Sequence, residues 1–77
     1  MWMQLNEEKK IPPIYDFTIP ELNMLRELCN FSDDELAYFN LRAKHKSNTQ
    51  IAYELNISES TVSVLARKVK KKIVRVI

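Results

Sequence analysis

Seventy-seven residues with one cysteine and one histidine cannot be stapled by an internal disulfide or a Cys/His zinc site, so a packed helical core, a partner or both must stabilise the chain. The complete absence of glycine argues against phosphate-cradling loops, dinucleotide-binding turns and immunoglobulin-like sandwiches. The net charge of +2 hides a division: residues 1–40 carry eight acids and three bases, a net of −5, while residues 41–77 carry nine bases and two acids, a net of +7. Such a split suggests one surface for a polyanion and another that avoids it.

Residues 1–17 read as an arm. Pro12-Pro13 excludes a helix there, yet Ile11, Ile14, Tyr15 and Phe17 are too apolar for a disordered tail. The arm should pack back on the domain, with its first several residues frayed. Residues 18–77 read as the helical domain, and its helix starts are marked repeatedly. Thr18-Ile19-Pro20-Glu21 is a capping box with proline in the first turn, stapled by Phe17 and Leu22. The helix should run to about Cys29 and bury Leu22, Leu25, Leu28 and Cys29. Ser32-Asp33-Asp34-Glu35 repeats the box, with Phe31 and Leu36 as staple. The helix it opens carries Leu36, Phe39 and Leu41 and ends near Lys44. Ser47-Asn48-Thr49-Gln50 is a third box, opening a helix that carries Ile51, Ala52 and Leu55. Ser58 caps the fourth and longest helix, whose stripe is Val62, Leu65, Ala66, Val69, Ile73 and Val76. No segment alternates with period two, so no sheet is expected. The fold class is all-α: a small bundle of about four helices with a short N-terminal arm.

The last two helices form the informative unit. Only Asn56-Ile57 separates the third helix from the Ser58 cap, and so short a break makes the two helices cross steeply. Small Ala52 sits where they approach. Ile51, Leu55, Ile57, Val62 and Leu65 point into the angle. The outer face of the fourth helix begins small and polar with Glu59, Ser60, Thr61 and Ser63. It continues with Arg67 and then with Lys68, Lys70, Lys71, Lys72 and Arg75, and these last five read as a phosphate-binding strip.

The run Ala43 to Asn48, then Ile51-Ala52, then Leu55-Asn56-Ile57-Ser58-Glu59-Ser60-Thr61-Val62, resembles the helix-turn-helix of LuxR-type response regulators and of bacterial sigma factor region four. Phe31 to Glu35 and Leu41-Arg42-Ala43 resemble the lead-in helix of the same family. The resemblance covers roughly residues 31–77. It implies a double-stranded DNA-binding transcription regulator, bacterial or phage, whose fourth helix lies in the major groove. Carried over, the DNA-binding residues are Ser58, Glu59, Ser60, Thr61, Ser63, Val64, Arg67, Lys68 and Lys71. Thr61 would sit near a phosphate, Ser60, Ser63 and Val64 would face bases, and Arg67 and Lys68 would meet base edges or backbone. The family usually has glycine where this chain has His45 and Asn56. Both positions then need left-handed backbone, which Asn and His visit more readily than most residues.

The first two turns of the fourth helix contain no Arg, Lys, Asn or Gln, the residues that read guanine and adenine bidentately. Only Glu59 could accept from a cytosine amino group, and only Val64 could meet a thymine methyl. A single copy should read sequence poorly. The expected protein partner is a second copy, RNA polymerase or another regulator. The rival reading is a protein-interaction module that keeps helix-turn-helix geometry, as an anti-activator or assembly factor. Cys29 reads as a small core residue, His45 as a helix-end residue and Asp33-Asp34-Glu35 as acids favoured at a helix start. Trp2, Tyr15, Tyr38 and Tyr53 are scattered, which suits packing better than base stacking. No acid–base pair, pocket-building pattern, cofactor motif or metal-ligand set appears, so neither an enzyme nor a small-molecule substrate is expected. No apolar run reaches the length of a signal peptide or membrane span, and Val64, Val74, Val76 and Ile77 are not segregated from the lysines as a membrane-lying helix requires. A cytoplasmic, reducing location is expected.

Overall fold

The computed structural model describes residues 12–77. The expectations for the first part of the arm, including the packing of Trp2 and Ile11, lie outside the described residues. A 3-10 turn at Ile14–Asp16 leads into four α-helices: α1 (Ile19–Leu28), α2 (Asp33–Ala43), α3 (Asn48–Leu55) and α4 (Glu59–Val76). No strand occurs among the described residues.

Each helix starts where the sequence marks it. The Thr18 hydroxyl accepts from the Glu21 N–H at 3.3 Å while Glu21 Oε1 accepts from the Thr18 N–H at 2.8 Å. The same reciprocal pair joins Ser32 to Glu35 and Ser47 to Gln50. At α4 only half the box forms, because Thr61 stands where a long acceptor would be needed: Ser58 Oγ accepts from the Thr61 N–H at 3.1 Å. Each such cap is worth about 1 kcal/mol.

Two helix ends are built as Schellman motifs without glycine. At the end of α2, His45 takes φ 68° and its N–H donates to the Arg42 carbonyl, while the Lys46 N–H donates to the Leu41 carbonyl. At the end of α3, Asn56 takes φ 59° and its N–H donates to Tyr53, while Ile57 N–H donates to Ala52. Both left-handed positions match the expectation. A third, Asn30 at φ 53° in the α1–α2 connection, was not foreseen. Asn56→Ala should cost about 1 kcal/mol, since a left-handed backbone penalises an ordinary Cβ by roughly 1–2 kcal/mol. Thermal melts should show a drop of about 4–8 °C per kcal/mol, with no drop in Asn56→Gly.

The core is formed by Ile14 from the turn, Leu22, Leu25 and Cys29 from α1 and its end, Tyr38 and Phe39 from α2, Ile51 and Ala52 from α3, and Val62, Leu65, Val69 and Ile73 from α4. Phe17, Phe31, Leu41, Ala43, Leu55, Ile57, Ala66 and Val76 pack against it half-buried. Two expectations need correction. Leu28 is 57% exposed, because it lies at the last turn of α1 on the flank away from Leu22 and Leu25. Tyr53 is 87% exposed on the outer side of α3, so it does not serve packing. Burial raises the pKa of the Cys29 thiol against a smaller opposing effect of Lys72, and the residue fills core space as read. The turn is pinned by ring contact: Tyr15 lies 4.3 Å from His45 between ring centroids, and the Arg42 guanidinium lies 5.4 Å from the Tyr15 centroid. No helix among the described residues is long and apolar enough to cross a membrane.

Candidate nucleic-acid interface

The α3–Asn56–α4 corner positions the candidate surface. Ile51 and Val62 are fully buried and Ala52 nearly so, which fixes the two helices against each other. A second link lies on the rim, where Thr49 Oγ1 donates to Glu59 Oε2 at 3.3 Å. Lys46 and Glu54 pair across the start and end of α3 at 3.3 Å. Both groups are well solvated, so that pair contributes little to stability.

Along α4 the helical period separates two lines. Val62, Leu65, Val69 and Ile73 face inward. Opposite them, at offsets of four, three and four residues, run Ser60, Val64, Arg67 and Lys71, all exposed. Thr61 and Lys68 lie on one side of this line and Ser63 on the other, also exposed. Ser58 and Thr61 share the cap, their hydroxyl oxygens 3.0 Å apart. All nine residues singled out from the sequence are therefore solvent-accessible, and all but one border a continuous outward face. Glu59 is the exception: it turns toward Thr49 and shapes the corner. That contact spans ten residues between two exposed side chains, and no local spacing announces it.

The basic strip is shorter than the sequence suggests. Lys72 is drawn off it, because its ammonium pairs with Glu35 Oε1 at 2.5 Å and reaches the Asn30 carbonyl at 3.2 Å. Glu35 is 6% exposed and also completes the Ser32 capping box. The Lys72 hydrogen bond, then the Ser32 N–H, hold its carboxyl below the ordinary glutamate range, with burial opposing. A depressed carboxylate pKa contributes stability that is fully present above the unfolded value, about 4.3, and is lost as pH falls through the lower folded value. Glu35→Gln should therefore lower the urea midpoint at pH 7 but converge with the parent in strong acid. Parallel midpoints across that range would show that the pair contributes nothing. Lys70 also leaves the outward line, lying beside Ala66 and Ile73 toward α2. Arg67, Lys68, Lys71 and Arg75 remain as the outward basic face. Among the described residues no group of three or more His, Cys, Asp or Glu could hold a metal ion.

Residues 29–74 match the family model described as bacterial regulatory proteins, luxR family. No curated protein and no solved structure gives a significant match. The matched segment opens at Cys29, before α2, and includes α2, α3 and nearly all of α4, more than half of the chain. Helix α1 falls outside it. The family is one of DNA-binding regulators rather than enzymes. The corner, the outward face of α4 and the family match agree, and the chain belongs to the LuxR family of bacterial regulatory proteins as a helix-turn-helix DNA-binding transcription regulator.

Proposed function

We propose that α4 is the recognition helix, set in the major groove in the manner of sigma factor region four, and that phosphate contacts dominate its binding. The carrying observation is the order of side chains on its outward face: Ser60 and Val64 nearest the corner, then Arg67, Lys68, Lys71 and Arg75. Small groups let the helix approach base edges, and the cations beyond meet the backbone. In this reading residues 18–77 are the DNA-binding unit and residues 1–17 an arm upon it. The poor base-reading capacity of one copy makes a second copy or RNA polymerase the partner that supplies selectivity, and the chain works in the cytoplasm.

Fluorescence anisotropy with a random duplex between about 50 and 200 mM salt tests the proposal. If three or four phosphates are neutralised, log K should fall against log salt with a slope of about −3 to −4. Lys68→Ala and Lys71→Ala should each flatten the slope by about one unit and weaken all sequences alike. Ser63 and Val64 substitutions should change the preference among sequences instead. No duplex binding at the lowest salt would favour the protein-interaction reading. That reading draws on the lack of Arg, Lys, Asn and Gln in the first two turns of α4.

A further inference from the structure

A groove of about 280 Å³ lies between the Ile14 turn, α2 and α4, on the side of α4 away from Lys68. Ile14, Val69 and Ile73 form its apolar walls, and Tyr38, Arg42 and Lys70 bring polar groups to it. No acid borders it among the described residues. Tyr38 is 5% exposed, yet its hydroxyl makes no hydrogen bond to any described residue. Every fully buried side-chain nitrogen or oxygen among those residues has a partner. The Tyr38 hydroxyl therefore keeps some access to solvent, and Tyr38 is one of the residues that line the groove. Burial raises the phenol pKa, outweighing the effect of Arg42, so it stands as a neutral donor. Arg42 spends one N–H on the Lys46 carbonyl at 2.8 Å and keeps its positive field toward Tyr38. Lys70 is exposed and makes no hydrogen bond or ion pair with a described residue. Tyr38, Arg42 and Lys70 thus bring three donors and two positive charges to the lining of an apolar slot that no acid borders among the described residues.

We propose that this groove is a binding site for a small organic anion, a carboxylate carried on a single ring or a short branched chain. The apolar body lies against Ile14, Val69 and Ile73, and the carboxylate accepts from Tyr38 and Lys70 within the field of Arg42. The volume is at the lower edge of the roughly 300–1,000 Å³ of ordinary ligand pockets, which limits the occupant to that size. The site does not depend on the DNA-binding reading, since it faces away from Lys68 and Lys71.

The whole chain, isotopically labelled, should be titrated with phenylacetate and in parallel with phenylacetamide, which keeps the ring and loses the charge. Amide chemical shifts should move saturably with phenylacetate at Tyr38, Val69, Lys70 and Ile73, and much less with the amide. Tyr38→Phe and Lys70→Met should each weaken phenylacetate about tenfold, as loss of one charge-assisted hydrogen bond implies. Lys70→Met should melt with the parent, since the side chain is exposed, and so serves even if Tyr38→Phe is destabilised. Equal binding of acid and amide, shifts centred on Lys68 and Lys71, or no saturable shift at the groove with millimolar phenylacetate would each overturn the assignment.

Discussion

Phe39→Ala should leave the chain close to or beyond its folding limit at physiological temperature. Phe39 is fully buried at the centre of the core. Its ring lies 4.9 Å from that of Phe31, tilted by 36°, and the Arg26 guanidinium lies 5.4 Å from its centroid. Arg26 is held there by Asn40 at 2.9 Å and Asn23 at 2.8 Å. Truncation removes these contacts and leaves a cavity, at a cost of about 3–5 kcal/mol. At about 0.05–0.15 kcal/mol per residue, a chain of 77 residues holds roughly 4–12 kcal/mol in all. Circular dichroism against temperature should show a broad, early transition or none. Tyr53→Ala provides the control and should stay within about 0.5 kcal/mol, because surface substitutions rarely do more. A Phe39→Ala melt within a few degrees of the parent would mean that the core has another centre.

Ala52→Leu should have the next largest effect, through crowding rather than loss. Ala52 is 7% exposed on the face of α3 that meets α4, and its carbonyl accepts from the Ile57 N–H in the corner. Three added carbons must displace α4 or force a strained rotamer, costing about 1–3 kcal/mol. For a domain of this size that lowers the melting temperature by roughly 4–8 °C per kcal/mol. Lys71→Ala should leave it almost unchanged. Duplex binding should separate the two in a second way. Ala52→Leu moves the whole outward face of α4, so affinity falls while each remaining phosphate contact keeps its salt dependence. Lys71→Ala should remove one of the proposed phosphate contacts and flatten the salt slope. Equal melting shifts for the two variants would place Ala52 away from the crossing.

The elements that rest on neighbours in sequence were legible. Four caps, two left-handed corners and the buried line of α4 all depend on residues within about five positions of one another, and each stands where the spacing placed it. The expectations that failed depend on distant chain. Leu28 follows Leu25 at an ordinary helical interval, but no described residue covers it at the end of α1. Lys72 sits among other cations, and it is turned inward by distant groups, Glu35 37 residues earlier and the Asn30 carbonyl 42 residues earlier. Tyr38 packs in the core as its type suggests, but the groove beside it has walls from the turn and from α4, which nothing in the sequence of α2 reveals. The outward face of the candidate site was legible because helical phase fixes it. The Thr49–Glu59 link was not, because two solvated side chains carry no hydrophobic signature.

The separation of two lines on α4 bears on how such a protein can diverge. Ser60, Ser63, Val64 and Arg67 are exposed, whereas Val62, Leu65, Val69 and Ile73 are buried in the core. Substitution at exposed helical positions away from such features changes stability by about 0.5 kcal/mol or less. The chain can therefore acquire arginine, asparagine or glutamine on its outward line with little risk of unfolding, although its small core leaves a narrow margin elsewhere. If α4 reads DNA as proposed, a lineage carrying this sequence can change its target site quickly while its interior stays nearly fixed. In the laboratory, the proposed role makes the same four positions the ones to randomise when a new target sequence is sought.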